Sequence, residues 1–377
     1  MKVTFYQRMS ADSEINDIMD CLSSNLETDG FFMRRLQAEF GKRYPRSHAL
    51  FTTSCTSALE MIMDCLGLES GDEVILPSFN FTSAANAVLR YGARPVLCDI
   101  DPETQNLSLR DAACRITGRT KAIVAVHYAG VSCPMDELNS LAHEAGAVLI
   151  EDAAQGIGAY YKGCPLGAAA DFGAISFHYT KNITCGEGGV MLTGDQAAYE
   201  RACQYRLHGT NRTKYLRGEV DRYTWTVPGS CTALGELNAA LLRSQLEAVE
   251  EVTRRRVAAM NLYRELLEPL ERRGIARRMV IPDYAAPNGH IVYLRFEEPG
   301  RCRMVREKLL EQGIDCKTHY VPLHISPMGR QLGYRPEDLP ESELCYRTLL
   351  RLPVHTGIGR PEAEFVADRL MTCCDMG

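Results

Sequence analysis

The chain changes its hydrophobic rhythm along its length. Up to about residue 50 apolar positions recur at helical spacing: Ile15, Ile18, Met19 and Leu22, then Phe31, Phe32, Leu36 and Phe40 after Asp29 and Gly30. This predicts a helical lead-in. From about 50 to 195 short apolar runs take over, at 73–77, 95–98, 122–126, 147–150, 173–176 and 189–192. Amphipathic stretches such as 82–90 and 135–145 lie between the earlier runs. Fully apolar strands separated by helices predict an α/β fold with a mostly parallel central sheet and helices on both faces. Ligands of such sheets bind beyond the carboxyl ends of the strands, so chemistry is expected just after each run.

Residues 236–267 read as one long helix stopped by Pro269. It carries Arg254, Arg255 and Arg256, a cluster that reads as a solvated face. A smaller α/β region is predicted beyond Pro282, with strands near 291–296 and 316–320 and a helix at 304–311. A last helix is expected over about 361–372. The expected division is a large domain over residues 1–250 and a small C-terminal domain over 251–377.

Composition narrows the function classes. The 377 residues are 45% hydrophobic and carry a formal charge of -6, which argues against a bulk electrostatic grip on nucleic acid or an anionic membrane. No apolar run approaches the ~18 residues of a membrane helix, and Asp12, Glu14 and Asp17 stand where a signal peptide would be apolar. The 15 cysteines include no CxxC pair, only the adjacent Cys373 and Cys374, so neither a zinc site nor a disulfide framework is expected. A reducing cytoplasm is the expected compartment.

Three strand ends carry candidate chemistry. Thr53, Ser54, Cys55, Thr56 and Ser57 precede the helix expected at 58–66; such residues serve equally as N-caps or as a phosphate cradle. Asp152, ending an apolar strand, either caps the next helix or holds a cationic ligand atom. Lys181, in an apolar and hydroxyl-rich stretch before Gly186, Gly188 and Gly189, is either an exposed lysine before a turn or an imine-forming amine. All three needs meet in pyridoxal 5'-phosphate (PLP): an anion cradle, a carboxylate at the ring nitrogen and a lysine. Phe81 could stack on its ring.

At these residues the sequence resembles the DegT/DnrJ/EryC1/StrS sugar aminotransferases, of the fold-type I class of PLP enzymes. The landmarks are 54–59, 71–77, Phe81 with 86–87, 127–130, 151–155, 176–178 with 181–182, and 186–189. The resemblance implies that Lys181 forms the imine and shuttles the proton, Asp152 pairs with the pyridine nitrogen, and Gln155 bonds the ring hydroxyl. It likewise implies Phe81 as the stacking residue and Thr56, Ser57 and Ser176 as phosphate ligands. His178 is expected to pack behind the site. Segments 208–212, 217–225 and 319–324 are similar to a branch acting at carbon 4 of dTDP-4-keto-6-deoxyglucose with L-glutamate as donor. Carbon 3 enzymes share every cofactor residue named above.

A sugar 3-dehydratase of this family would replace the lysine with histidine, and a non-catalytic regulator would lose Lys181, Asp152 or Gln155. The family's active sites lie at homodimer interfaces. There Cys231 takes the position of a cross-subunit Asn in many relatives, and Cys55, Cys185 and Cys231 are expected around the cofactor.

Overall fold

The computed structural model describes residues 1–375. Its main sheet contains β1 (His48–Thr52), β2 (Glu73–Pro77), β3 (Arg94–Cys98), β4 (Thr120–Val126) and β5 (Val148–Asp152). After the short β6 (Tyr160–Tyr161) and β7 (Cys164–Pro165) come β8 (Phe172–Ser176) and β9 (Gly189–Thr193). The sheet order is β1-β9-β8-β5-β4-β2-β3. Six strands run the same way, and β9 is antiparallel to both of its neighbours.

Alternation sends successive side chains of each run to opposite faces. Ile75, Ile123, Leu149 and Ile175 enter one core, while Val74, Val124, Ile150 and Ala174 enter the other. Helices α1 (Glu14–Leu22) and α2 (Phe31–Arg43) cover the first face, where Phe32, Leu36 and Phe40 are buried. Helix α3 (Cys55–Cys65) covers the second with Leu59 and Ile62, joined by α4 (Ser83–Leu89). The remaining helices of this half are α5 (Leu109–Arg115), α6 (Met135–Glu144), α7 (Gln196–Arg206) and α8 (Arg212–Leu216).

The expectations for the lead-in and for the long helix are corrected. The lead-in does not stay helical to residue 50, because His48–Thr52 is an edge strand on β9. The strand expected at 189–192 is β9, which follows β8 through the glycine-containing loop and pairs antiparallel with it. The predicted helix at 236–267 is two, α9 (Glu236–Glu247) and α10 (Val249–Leu266), meeting at Ala248. The break falls where the chain leaves the core on the first sheet face, which takes Val249 and Val252, for a separate core of the C-terminal half, hereafter the second core, which takes Ala259, Met260 and Tyr263. The helix ends at Leu266, just before Pro269 as expected, and the proline then falls in the first turn of α11 (Glu268–Arg272), which needs no proline N–H.

The second core holds a sheet of β10 (Ala276–Arg278), β12 (Val292–Phe296) and β13 (Leu349–Leu352); β11 (Ala285–Ala286) pairs instead with β6. Around it lie α12 (Pro299–Glu311), α13 (Pro327–Gln331), α14 (Pro340–Thr348) and α15 (Arg360–Asp375). Residues 316–320 form no strand. A single bridge ties Lys317 to Arg351, after which His319 and Tyr320 turn into a cavity. The chain start joins this half through a Val3–Ile314 bridge. Among the described residues no helix is long and apolar enough to cross a membrane.

Candidate active site

Strand register gathers the site. Asp152 ends β5 opposite Val126 and Ala174, while Gly189 pairs with Thr52 on one side and Ser176 on the other. The carboxyl ends of β1, β2, β4, β5 and β8 thus border one cavity of about 880 Å³, closed on its far side by residues of the second core.

Alternation separates the two acids of the 151–152 motif. Glu151 points to the buried face, where its carboxylate accepts N–H bonds from Gly167 (2.8 Å) and Ala169 (2.6 Å) and pairs with His127 Nε2 at 2.8 Å. Asp152 lines the cavity and accepts the Ala154 N–H at 3.1 Å. Burial raises its pKa, while that backbone bond, Lys181 and His127 favour the charged form. Nearby, Asn80 Nδ2 is buried without a hydrogen-bond partner, and the amide's Oδ1 is used by Phe81 N–H.

Lys181 sits in the loop joining β8 to β9. Three bonds brace that loop: Thr184 Oγ1 donates to Phe177 O (2.9 Å), Asn182 Nδ2 to Asn288 O (3.2 Å), and His290 Nδ1 pairs with Asn182 Oδ1 (2.8 Å). Burial lowers the Lys181 pKa and nearby Arg351 adds to this, against Cys55 and Asp152, which raise it. The result is an amine held closer to neutrality than a surface lysine.

At the start of α3, Ser54 accepts the Ser57 N–H at 3.1 Å. The first-turn N–H groups of Cys55 and Thr56 lie outside this cap. Thr56 Oγ1 meets Ser83 Oγ at 2.7 Å, joining two helix starts in one hydroxyl-rich wall. Ser176 also lines the cavity, as does Phe81, whose side of the site leaves it 60% exposed. Gln155 Oε1 accepts the Ala129 N–H (2.7 Å) and its Nε2 donates to Tyr320 OH (3.2 Å). His178 stands on the cavity wall with Nδ1 at 2.9 Å from Thr180 Oγ1.

Of the expected site residues, Lys181, Asp152, Gln155, Phe81, Thr56 and Ser176 border the cavity, and Ser57 does not. The Ser57 hydroxyl is occupied by Thr53 and Ser54, within the helix cap. Of the three cysteines only Cys55 lines the cavity. Cys185 is buried behind Gly188, and Cys231 is exposed beside Leu207. The basic cluster also divides. Arg254 and Arg255 are solvated partners of Glu251, but Arg256 is buried and reaches the cavity wall. Asn80 was within reach of the strand-end rule; Arg351 and Tyr6 come from distant segments with no local signal, while Arg256 and Tyr320 lie in segments that the sequence marked without placing them at the site.

These groups fit PLP. The first-turn N–H groups of Cys55 and Thr56, outside the Ser54 cap, offer donors to phosphate, Asn80 offers an unused donor, and the buried Asp152 carboxyl needs a cation to be charged at low cost. A lysine and a carboxylate set around a cofactor-sized cavity, with an anion cradle between them, define the PLP-dependent transferases of this sheet type.

The comparisons with known proteins specify the class. Residues 9–371 match the model of the DegT/DnrJ/EryC1/StrS aminotransferase family, and the chain belongs to that family. The spore coat polysaccharide biosynthesis protein SpsC of Bacillus subtilis is 30% identical over 363 residues, 94% of this chain and 92% of its own. S. venezuelae DesV, solved with a ketimine intermediate, is 32% identical with a TM-score of 0.88, covering 96% of this chain and 94% of its own. Streptococcus pneumoniae Spr1654, solved in apo, PLP and PMP forms, shares the fold at 24% identity and a TM-score of 0.92, over 100% of this chain and 98% or 99% of its own. The protein is a PLP-dependent sugar aminotransferase.

Proposed function

We propose that the enzyme moves the amino group of L-glutamate to the C4 keto group of dTDP-4-keto-6-deoxyglucose. The products are a dTDP-4-amino-4,6-dideoxyhexose, galacto in configuration, and 2-oxoglutarate. One observation carries the transaminase chemistry: a half-buried lysine with a lowered pKa faces a buried carboxylate across the cavity at the strand ends.

When bound, PLP supplies an electron sink for the pair left as the donor's α-proton departs. Asp152 would hold the proton on the ring nitrogen and Gln155 would bond the ring hydroxyl. Phe81 would pack on the ring, and Thr56 and Ser176 with the α3 start would hold the phosphate. Ser57 supports that start through its bond to Ser54. Lys181 Nζ, close to neutral, removes the donor's α-proton and in the second half-reaction delivers a proton to sugar carbon 4.

The cavity volume lies toward the upper end of the ~300–1,000 Å³ found for small-molecule sites, which suits a nucleotide-linked acceptor. SpsC's role in a coat polysaccharide supports a surface sugar as the downstream use. Tyr215, Leu216, Tyr223 and Trp225, the chain's sole tryptophan, are all exposed on the segment 212–225, and this supports a homodimer in which a second copy covers them. Fifteen unpaired cysteines support a reducing cytoplasm. The test is incubation with dTDP-4-keto-6-deoxyglucose and L-glutamate, with the product's configuration read from NMR coupling constants. An aminosugar formed only from a 3-keto nucleotide sugar would move the reading to carbon 3.

A further inference from the structure

The amide of Asn80 is only half used. The residue follows β2, is 4% exposed and lines the cavity. Its Oδ1 accepts the Phe81 N–H at 2.7 Å. A backbone N–H can only donate, so the atom it meets is the amide oxygen and the other atom is the NH2 group. That Nδ2 is buried with no hydrogen-bond partner. A buried donor left unpaired costs free energy, and an acceptor within reach recovers it.

Neutral acceptors at the cavity are already engaged. Thr56 Oγ1 and Ser83 Oγ bond each other at 2.7 Å, Gln155 Oε1 takes the Ala129 N–H, and Ser176 Oγ takes the His178 N–H at 3.3 Å. Asp152 has capacity to spare. An ionised carboxylate offers about four acceptor sites, and among the described residues only the Ala154 N–H uses one, on Oδ1. The Asn80 amide lies close enough to Asp152 to favour its charged form, and the soft terminal torsion of an aspartate lets the carboxylate turn to meet it. The titratable groups that face Asp152 are Lys181 from the β8–β9 loop, His127 beyond β4, Cys55 at the start of α3 and Tyr320 from the second core. Lys181 and His127 act in the same direction as Asn80, and burial opposes them.

We propose that Asn80 is the positioning residue of Asp152, its Nδ2–H donating to the carboxylate and holding it in place. The proposal rests on the role given to Asp152 above. A hydrogen bond from a neutral amide stabilises the carboxylate over the carboxyl group, because the charged form is the stronger acceptor. Without Asn80 the buried carboxyl takes up a proton more readily, and a protonated Asp152 is a poor partner for a cationic ring nitrogen. The two ends of the amide thus divide the work: Oδ1 fixes the backbone that carries Phe81, and Nδ2 serves the acid.

The test follows melting of the cofactor-free protein by circular dichroism and PLP affinity by titration. Both are measured for wild type, Asn80→Ala and Asn80→Gln, each with and without Asp152→Asn. The gap in Tm between a protein and its Asp152→Asn counterpart widens with pH and stops widening at the pKa of the folded Asp152. Asn80→Ala should move that plateau up by about one pH unit and weaken PLP roughly tenfold, the same factor read in two ways. In the Asp152→Asn background the PLP loss should shrink to within about twofold. Asn80→Gln, which keeps an amide donor, should recover part of both effects. Asn80→Leu, of similar volume, replaces the alanine variant if that one does not fold. A plateau left at the wild-type pH would overturn the proposal; PLP affinity lost at the same time would assign Asn80 to the Phe81 bond alone. A PLP loss undiminished by Asp152→Asn would overturn it too. Wild-type PLP affinity in Asp152→Asn by itself would sink the role of Asp152 instead, and the plateau would still judge its contact with Asn80.

Discussion

Replacing Gly189 by alanine should damage the site without touching any reacting group. Gly189 opens β9 between Thr52 and Ser176. A Cβ there would stand 2.4 Å from Cys55 N and from the carbonyl carbon of Ser54, where ordinary contact begins at 3.4 Å. The start of α3 must therefore retreat by about 1 Å, and because the obstructing atoms are backbone no side chain can swing clear. Overpacking costs about 1–3 kcal/mol, and an immovable backbone puts this case near ~3. With about 2.1 cal/mol/K of unfolding entropy per residue, that lowers Tm by about 4 °C. The same 1 Å displaces the N–H groups proposed to hold the cofactor phosphate, so PLP affinity should fall on the order of 100-fold. Melting followed by circular dichroism and titration of the cofactor-free protein with PLP read the two effects. Gly41→Ala, in α2 with nothing within 4 Å of its added Cβ, is the control and should raise Tm slightly. Wild-type Tm and PLP affinity in Gly189→Ala would refute the reasoning.

Three further expectations follow from the site. Lys181→Ala should abolish the visible band and transamination together while leaving the fold intact by circular dichroism; turnover near the wild-type rate would remove the lysine from its proposed role. Asp152 is raised by burial, so in the cofactor-free protein its stability contribution is full below the unfolded carboxylate pKa and is lost as pH rises through the folded one. Cofactor-free Asp152→Asn should therefore be the more stable protein at pH 8, with the gap closing on acidification, and should bind PLP more weakly; a lower Tm than wild type at pH 8 would contradict this. Burial pushes the Cys55 thiol well up, whereas Cys114 is exposed, so iodoacetamide at pH 7 should label Cys114 far faster by peptide mass mapping. Preferential labelling of Cys55 would show the cavity thiol to be reactive after all.

Six of the seven main-sheet strands were legible because each is a short run apolar on both faces, a pattern few other structures produce. Its carboxyl ends then pointed to Thr56, Asp152, Ser176 and Lys181, all of which border the cavity. What the pattern did not reveal depended on contacts between distant segments. A strand at the end of a helical stretch, His48–Thr52, exists because β9 offers it an edge. A helix of continuous periodicity breaks at Ala248 because its halves pack in different cores. Ser57 and Thr56 are adjacent hydroxyl residues of one motif, and only helix geometry turns one toward the Ser54 cap and the other toward the cavity.

The sequence by itself therefore determined six of the seven strands of the main sheet and the three groups that imply the cofactor. Local spacing suffices for that, since each group directly follows its own strand. Tertiary structure alone decided which charges lack partners. Arg254, Arg255 and Arg256 are neighbours in the chain, yet the first two are solvated beside Glu251 and the third is buried at the cavity. Arg351, unremarkable in its strand, is left without a counter-ion because the fold brings it to Phe5 and the cavity rather than to an acid. Burial and pairing are sums over everything that packs around a group, and no window of sequence contains that sum.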